Sequence, residues 1–188
     1  MASQGKIRII SGKWKRRYVS FPSIQDLRPS PDAVRETLFN WLGQNLEGKS
    51  CLDLFAGSGA FGLEAASRGA SRVDMVELNR EAARSLSATI ELLGDLETVK
   101  CFNMDWKAFL KKNTQKYDII FVDPPFRKPL IKSVCDTLIN TDCLNDDARV
   151  YIESPKSNSP LPVPPTWNII RESTRGMVKS TLIQTTSQ

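Results

Sequence analysis

Two short stretches of the sequence bring together residue types that can do chemistry. DLFAGSGAFG, at 53–62, places an acidic residue before two closely spaced glycines, and DPPF, at 123–126, places a carboxylate, two prolines and an aromatic ring in succession. Each stretch follows a short apolar run that is typical of a buried strand. The first pattern indicates a ligand-binding loop, and the second indicates a rigid turn that presents hydrogen-bond acceptors beside a ring.

The glycine stretch lies between a predicted strand and a predicted helix. Glycines at 57 and 59 allow backbone N–H groups to approach a ligand, and the helix start adds the positive end of its dipole. Residues 57–62 satisfy G-x-G-x-x-G, and Glu77 lies 20 residues after Gly57, where a strand-end carboxylate can accept hydrogen bonds from ribose hydroxyls. These features predict a nucleotide-like ligand, although a glycine-rich turn can also be purely structural.

Two observations separate the candidate ligands. Asp53 ends the strand before the loop, where an anionic side chain opposes a pyrophosphate but suits a ligand with an ammonium group. The chain has no histidine, the residue that many dehydrogenases use for proton transfer. We therefore predict S-adenosylmethionine, a cationic ligand that contains adenosine, rather than NAD.

Asp105 and Trp106 follow a further predicted strand and extend this interpretation. At the carboxyl edge of the sheet, Asp105 can accept a hydrogen bond from the adenine amino group, and Trp106 can cover a ring face. The same two residues also fit a helix N-cap and a core tryptophan. The two pairs of roles are compatible, and both remain open at this point.

DPPF suits the methylation of an exocyclic amino group on a base. The lone pair of such a nitrogen is delocalised into the ring, so the enzyme needs groups that accept the amine protons and aim the lone pair at the methyl group. Asp123 and the carbonyl of Pro124 are candidate acceptors, Pro124 and Pro125 make the turn rigid, and Phe126 offers a face for a flipped base. The alternative is a turn that only ends a strand, with Phe126 in the core.

The elements that position these residues alternate along the chain. A helix is predicted at 33–42, and the alternation that follows predicts parallel strands in an α/β fold with right-handed crossovers. Two late strands without a helix between them predict an antiparallel hairpin at one sheet edge. The predicted strands are 50–55, 72–78, 99–104, 117–122, 148–153, 167–172 and 177–185, with helices at about 60–68, 79–93, 106–112 and 128–140.

The N-terminus has a different character. Residues 6–10 and 14–21 are predicted strands that flank Ser11–Lys13 as a hairpin. The net charge is +5, and the first 17 residues hold six basic side chains and no acid, which leaves 20 basic and 21 acidic side chains in the rest. Such an arm either meets a polyanion or only aids solubility. If the arm meets a polyanion such as RNA, the residues that would contact it are Arg8, Lys13, Lys15, Arg16 and Arg17.

Length and composition bound the class of protein. A chain of 188 residues with 40% apolar and 25% charged residues is typical of one soluble folded unit. The four cysteines are far apart or eight residues apart, and without histidine they form no zinc site, so we expect no metal and a reducing compartment. Neither a signal peptide nor a membrane span is visible, which predicts a cytoplasmic protein.

Several motifs together resemble known enzymes. DLFAGSG at 53–59, VELN at 76–79 and DPPF at 123–126 resemble the motifs of class I S-adenosylmethionine-dependent amino-methyltransferases. RIISGKWKRR at 8–17 and LRPSPDAVRETLFNWL at 27–42 are similar to the RsmD family, as is YIES at 151–154. DPPF is shared with DNA and other RNA methyltransferases, so the N-terminal stretches are the specific part of the resemblance.

The resemblance implies a fold, a reaction and a division of the chain. It implies a Rossmann-like methyltransferase with a seven-stranded mixed sheet whose last strand is antiparallel, plus an N-terminal basic β-hairpin. It also implies methylation of the N2 atom of a guanine in bacterial 16S ribosomal RNA, with the 30S subunit, assembled or assembling, as partner. We expect residues 1–30 to be an RNA-contacting extension and 31–188 the methyltransferase domain.

The resemblance also implies roles for individual positions. Asp53, Phe55, Gly57, Gly59 and Glu77 are expected to line the cofactor, with Asp105 as a looser correspondence, and Asp123 to Phe126 are expected to hold the guanine. Three alternatives stay open: a DNA amino-methyltransferase, for which the chain has little room for a target-recognition insertion; a non-catalytic RNA-binding assembly factor; and an NAD-linked oxidoreductase. No cysteine stands beside DPPF, so we predict direct transfer without a covalent intermediate.

Overall fold

One mixed sheet of seven strands dominates the computed structural model, which describes residues 4–24, 27 and 29–185. The strands are β1 (Gln4–Arg8), β2 (Tyr18–Pro22), β3 (Ser50–Asp53), β4 (Arg72–Val76), β5 (Val99–Phe102), β6 (Tyr117–Val122), β7 (Leu144–Pro155), β8 (Asn168–Arg175) and β9 (Val178–Gln184). The helices are α1 (Asp32–Leu42), α2 (Ala60–Ser67), α3 (Arg80–Leu93), α4 (Trp106–Lys112) and α5 (Ile131–Asn140).

The strand order confirms the predicted sheet. The order is β5-β4-β3-β6-β7-β9-β8, and the five strands from β3 to β7 run parallel. β9 is antiparallel to both β7 and β8, so the last strand alone reverses direction in this sheet. The chain winds outward from β3 in one direction and from β6 in the other, which makes the β3/β6 boundary a topological switch point.

Both faces of the sheet are covered, which explains why its strands appear as nearly continuous apolar runs. Cys51, Ile119 and Phe121 belong to the apolar cluster that includes α1, α2, α3 and the N-terminal hairpin. Their neighbours Leu52 and Ile120 belong to the cluster formed with α4 and α5. Successive residues of each central strand thus point to opposite faces, and the core has two layers.

The N-terminal hairpin forms, but its predicted strand boundaries were wrong. Instead of 6–10 and 14–21, the paired strands are β1 and β2, joined by residues 9–17. Trp14 is buried there, and its amide donates to the Ser67 hydroxyl at 3.0 Å. At Gly12, where φ is +81°, a Cβ would lie 1.7 Å from the Ser67 carbonyl oxygen. Because this turn is pressed against the end of α2, tertiary packing overrides its strand propensity.

Glu64, fully buried on α2, connects this turn to the main body. Its two carboxylate oxygens accept hydrogen bonds from the Ile10 and Ser11 amides at 2.8 and 3.0 Å. The same carboxylate pairs with Arg35 at 3.2 Å and with Arg68 at 2.8 Å. One buried anion therefore satisfies two backbone donors and two guanidinium groups, which explains how a charge is tolerated in the core.

Arg35, on α1, extends the connection toward the DPPF turn. Its guanidinium is 1% exposed and donates to the Arg8 carbonyl at 2.9 Å and the Ser30 carbonyl at 3.3 Å. Burial lowers the pKa of Arg35, while the charges of Glu64 and Asp32 oppose that shift. Arg35 thereby holds the backbone at Ser30 beside the end of β6, where the Ser30 hydroxyl reaches Asp123.

The four cysteines are free thiols, and three of them, Cys51, Cys135 and Cys143, are buried as predicted for small core residues. Within residues 4–24, 27 and 29–185, no group of three or more histidine, cysteine or acidic residues is arranged to hold a metal ion. None of the described helices is long and apolar enough to cross a membrane.

Candidate cofactor and base-binding site

The glycine stretch and the DPPF turn meet at the carboxyl ends of β3 and β6. These strands are parallel neighbours in which Asp53 pairs with Phe121, so Asp123 lies two residues beyond this pair. Ligands of open α/β sheets bind in the crevice at such a switch point. The sheet therefore places the two chemically informative motifs at one edge, as the sequence predicted.

The glycine loop needs its glycines for backbone conformation and for packing. Gly57 and Gly59 have φ values of +53° and +80°, a left-handed region that side chains disfavour. A Cβ at Gly59 would also lie 2.5 Å from the Leu86 side chain. Gly59 is the N-cap of α2, and its amide donates to the Ala56 carbonyl at 2.7 Å. The loop thus turns tightly and enters the helix directly below the crevice.

Asp53 carries an unsatisfied oxygen at the base of this loop. The residue is 1% exposed, and its Oδ2 accepts a hydrogen bond from the Gly62 amide at 3.0 Å. Its Oδ1 is buried without a hydrogen-bond partner among the described residues. Burial raises the pKa of Asp53 to about 7, the charge of Glu77 adds to the shift and the Gly62 amide opposes it. A cationic hydrogen-bond donor in the crevice would satisfy this oxygen.

Glu77 follows β4 and is held against the loop. Its carboxylate accepts hydrogen bonds from the Gly57 amide at 2.8 Å and the Asn79 amide at 2.6 Å. Each carboxylate oxygen has a second lone pair, so Glu77 keeps acceptor capacity for ribose hydroxyls. Glu77, which was predicted from its position 20 residues after Gly57, therefore contacts the glycine loop.

Asp105 and Trp106 adopt the structural roles that the sequence left open. Asp105 is the N-cap of α4, and its Oδ1 accepts from the Lys107 amide at 2.9 Å and the Ala108 amide at 3.3 Å. Trp106 is buried and packs against Phe55, with ring centroids 6.1 Å apart. This contact packs Phe55 of the glycine loop against the start of α4. The adenine contact of Asp105 and Trp106 stays a prediction.

The DPPF turn presents a constrained acid and an open aromatic ring. Asp123 is partly buried, and its Oδ2 accepts a hydrogen bond from the Ser30 hydroxyl at 3.4 Å. Desolvation raises the pKa of Asp123 well above its usual range, and the charges of Glu153 and Asp53 raise it further. Phe126 is 43% exposed, so it is not a core residue. Pro124 is buried and Pro125 exposed.

Sequence reasoning missed two residues of this site, Ser30 and Glu153. Ser30 lies in the stretch at 27–42, where the sequence carries a family resemblance but no sign of a site residue. Glu153 lies in YIES on β7, is 5% exposed, and accepts a hydrogen bond from the Tyr151 hydroxyl at 2.8 Å. The available signal was an acid near the end of an apolar run, the same pattern that drew attention to Asp123.

The candidate RNA-binding residues differ in their surroundings. Arg8 pairs with Asp32 at 3.0 Å, and Lys13 pairs with Asp95 and also lies over the Trp14 ring. The other three side chains, Lys15, Arg16 and Arg17, are exposed. None of the three joins an ion pair between described residues. These three form the basic turn, the most available positive charge on the N-terminal arm.

The basic turn lies away from the crevice. Its neighbour Gly12 packs on Ser67 at the end of α2, whereas the glycine loop begins the same helix. An eight-residue helix is about 12 Å long, which separates the two regions by roughly that distance. A ligand held by the basic turn would therefore be separate from one bound in the crevice.

The fold and the site together define a class of protein. The protein has a seven-stranded sheet in which only the last strand is reversed, and a glycine loop with an unsatisfied acid follows β3. A further acid follows β4, and a proline turn follows β6. These are the features of class I S-adenosylmethionine-dependent methyltransferases. The residues present fit that cofactor, because Asp53 offers a buried anionic acceptor and the glycine loop leaves the backbone accessible.

Comparison with known proteins then identifies the family. The family model described as conserved hypothetical protein 95 matches residues 7–184. Ribosomal RNA small subunit methyltransferase D of Escherichia coli is 38% identical over 100% of this chain and 94% of its own length, and the Haemophilus influenzae protein of the same name is 37% identical over 97% and 95%. The chain belongs to this family, known as the RsmD family.

A solved structure shows the same architecture. The Escherichia coli protein yhhF, described as a candidate methyltransferase, superposes with a TM-score of 0.89 at 38% identity, covering 98% of this chain and 100% of that one. The sequence resemblance and the expected fold are therefore confirmed.

Proposed function

We propose that this protein transfers the methyl group of S-adenosylmethionine to the exocyclic N2 atom of a guanine in bacterial small-subunit ribosomal RNA, in the cytoplasm. The observation that carries the proposal is the position of Asp123 and Phe126 one strand away from the glycine loop. The names of the full-length relatives support small-subunit ribosomal RNA as the substrate class.

The crevice side chains divide into a cofactor group, which would hold S-adenosylmethionine, and a base group, which would hold the guanine. Asp53 would accept from the ammonium of the cofactor, Glu77 from the ribose hydroxyls, and the Gly57–Gly59 backbone would line the methionine part. Asp105 and Trp106, at the start of α4, are proposed to contact the adenine from the far side of Phe55. When bound, S-adenosylmethionine supplies an activated methyl group on a positively charged sulfur.

The base group holds the amine and takes up its proton. Asp123 and the Pro124 carbonyl would accept the two N2 protons and so direct the nitrogen lone pair toward the methyl group. The methylated nitrogen must then lose one proton, and the Asp123 carboxylate is the acceptor in place. Phe126 would stack on the flipped guanine, and its exposure leaves its ring open for this contact.

The decisive experiment measures transfer of radiolabelled methyl from S-adenosylmethionine, followed by nucleoside analysis. The acceptors are small subunits from a strain that lacks this protein, naked ribosomal RNA and duplex DNA. We expect N2-methylguanosine in the subunit RNA. Label only in DNA would support a DNA amino-methyltransferase, and no label in any acceptor would support a non-catalytic RNA-binding assembly factor.

The basic turn is proposed to hold flanking RNA by its charge, as part of an RNA-contacting extension at residues 1–30. Changing Lys15, Arg16 and Arg17 together to alanine should reduce the slope of log affinity against log salt by up to about 3, because each lost phosphate contact removes close to one released counterion. The rate at saturating RNA should not change, since the turn lies away from the crevice. RNA binding measured at several salt concentrations checks this.

A matched control removes charge elsewhere. Lys111 and Lys112 are exposed at the end of α4, and changing both to alanine should leave the salt slope nearly unchanged. If the triple variant keeps the original slope, the basic turn serves solubility and not RNA binding.

Cofactor binding should depend on pH through Asp53. Because its pKa is raised to about 7, Asp53 is mostly protonated at pH 5.5 and must lose a proton before it can hold a cation. Affinity for S-adenosylmethionine is therefore expected to increase as pH rises from 5.5 to 7, and calorimetry at constant ionic strength measures it. Asp53→Asn should bind more weakly and lose most of this increase; an unchanged pH dependence in that variant would contradict the assignment.

A further inference from the structure

A cavity of about 210 Å³ lies beside the DPPF turn. The residues that line it include Pro124, Phe126, Ile131 and Glu153. The volume is below the roughly 300–1,000 Å³ typical of sites for drug-sized ligands, which suits a single planar base. Glu153 has no role in the transfer described above, although it is an acidic residue among the residues that line this cavity, which also include Arg127 and Lys128.

Strand register places Glu153 directly beside Asp123. β6 and β7 are parallel neighbours in which Val122 pairs with Ile152, so the next residues in the two strands are Asp123 and Glu153. Neighbouring strands lie about 4.8 Å apart, and residues in register point to the same face of the sheet. The side chain of Ser30 interacts with both carboxyl groups.

Glu153 retains acceptor capacity for a ligand, because its carboxylate has more lone pairs than the Tyr151 and Ser30 hydroxyls engage. The Tyr151 hydroxyl donates to its Oε1 at 2.8 Å and also lies 3.0 Å from the Ser180 hydroxyl, which holds the carboxyl group in one orientation. Burial raises the pKa of Glu153, as it does that of Asp123. Whether protonated or not, Glu153 presents an oxygen that accepts a hydrogen bond.

We propose that Glu153 is a specificity-determining residue that accepts a hydrogen bond from N1–H of the target guanine while Asp123 holds the adjacent N2 amine. The inference rests on the proposed function above. N1–H and the N2 amine are neighbouring donors on one edge of guanine, and two acceptors on adjacent strands match that pair. A base with an acceptor at position 1, such as adenine, would place two acceptors against each other in a buried site, which is unfavourable.

The test uses a base that keeps the reacting amine but changes position 1. In 2-aminopurine the amine at carbon 2 is present, N1 is an acceptor and the oxygen at carbon 6 is absent. Small-subunit RNA is ligated with guanine or 2-aminopurine at the nucleotide that the wild-type enzyme methylates, then reconstituted into subunits. The enzymes are the wild type, Glu153→Gln and Tyr151→Phe, and the readout is the ratio of kcat/KM for the two bases.

The expected result is a change of preference rather than a general loss. The wild type should prefer guanine by roughly 100-fold, because an unpaired buried acceptor opposes 2-aminopurine. Glu153→Gln should reduce that preference at least about tenfold, because its amide nitrogen can donate to N1 of 2-aminopurine. The missing oxygen at carbon 6 affects both enzymes alike and cancels in the comparison. Tyr151→Phe keeps the Glu153 carboxylate but removes the hydroxyl that orients it, so its preference should lie between those of the wild type and Glu153→Gln.

The outcomes separate the two proposals. If the wild type does not methylate the guanine substrate, the proposed function fails, and this inference fails with it. If the wild type is active but Glu153→Gln lowers kcat/KM equally for both bases, Glu153 is only structural and the inference alone is overturned. Calorimetric binding of S-adenosylmethionine by each variant verifies that the crevice is folded.

Discussion

Replacing Asp123 with alanine is expected to lower kcat for methyl transfer by roughly 100- to 1,000-fold, the usual effect of removing one well-placed electrostatic group from an active site. The side chain lies at the end of β6 beside the exposed ring of Phe126, where it would contact the acceptor base and not the cofactor. Affinity for S-adenosylmethionine should therefore stay nearly unchanged. Single-turnover rates with small subunits and calorimetry with the cofactor measure the two quantities separately.

Asp123→Asn is the matched control for this prediction. Its side-chain carbonyl keeps one acceptor, so the loss of rate should be smaller than with alanine, although the amide cannot take up the proton released from the nitrogen. The contact from the Ser30 hydroxyl is 3.4 Å long and contributes little to holding the side chain. If cofactor affinity falls in parallel with the rate in both variants, Asp123 belongs to the cofactor group and the assignment of roles is wrong.

Replacing Glu64 with alanine is expected to lower the free energy of unfolding by about 3–5 kcal/mol, the range for breaking a buried ion pair by removing one partner. The change leaves the buried guanidinium groups of Arg35 and Arg68 without their shared carboxylate. It also leaves the Ile10 and Ser11 amides without acceptors. Urea unfolding followed by circular dichroism measures the change, and the midpoint should shift without a large change in slope.

Glu36→Ala supplies the matched control, because Glu36 lies exposed on α1 and its loss should change stability by no more than about 0.5 kcal/mol. Glu64→Gln should fall between the two, since its amide oxygen still accepts from the backbone but carries no charge. A loss below about 1 kcal/mol in Glu64→Ala would show that Asp32 and solvent compensate for the missing carboxylate.

Local pattern predicted most of the central sheet. Alternating apolar runs and helical periodicity located strands β3 to β9 and helices α1 to α5 to within a few residues, because each element carries its own signal of burial and length. The β7 strand is longer than predicted, Leu144–Pro155 instead of 148–153, since pairing with β9 extends its end to Pro155 and pairing of Leu144 with Tyr117 of β6 extends its start. The parallel pairing of neighbouring strands was then predicted from the rule that strand-helix-strand units have right-handed crossovers.

The N-terminal arm shows where local pattern fails. Strand-like residue types around Trp14 predicted a tight hairpin, but docking of Gly12 and Trp14 on Ser67 turns this segment away from strand pairing. That contact joins residues more than fifty positions apart, and propensity contains no information about such a partner.

The sequence by itself determined the class of site in this protein. Asp53, Glu77 and Asp123 follow strands whose carboxyl ends must share an edge, so their types and positions were enough to predict a cofactor loop beside an acceptor motif. Only the tertiary structure decided which further groups join them. Ser30 reaches Asp123 because Arg35 holds the Ser30 carbonyl, and Glu153 stands beside Asp123 because β6 and β7 pair in one register. If the pairing register between β6 and β7 shifted by one residue, the side chain of Glu153 would point to the opposite face of the sheet.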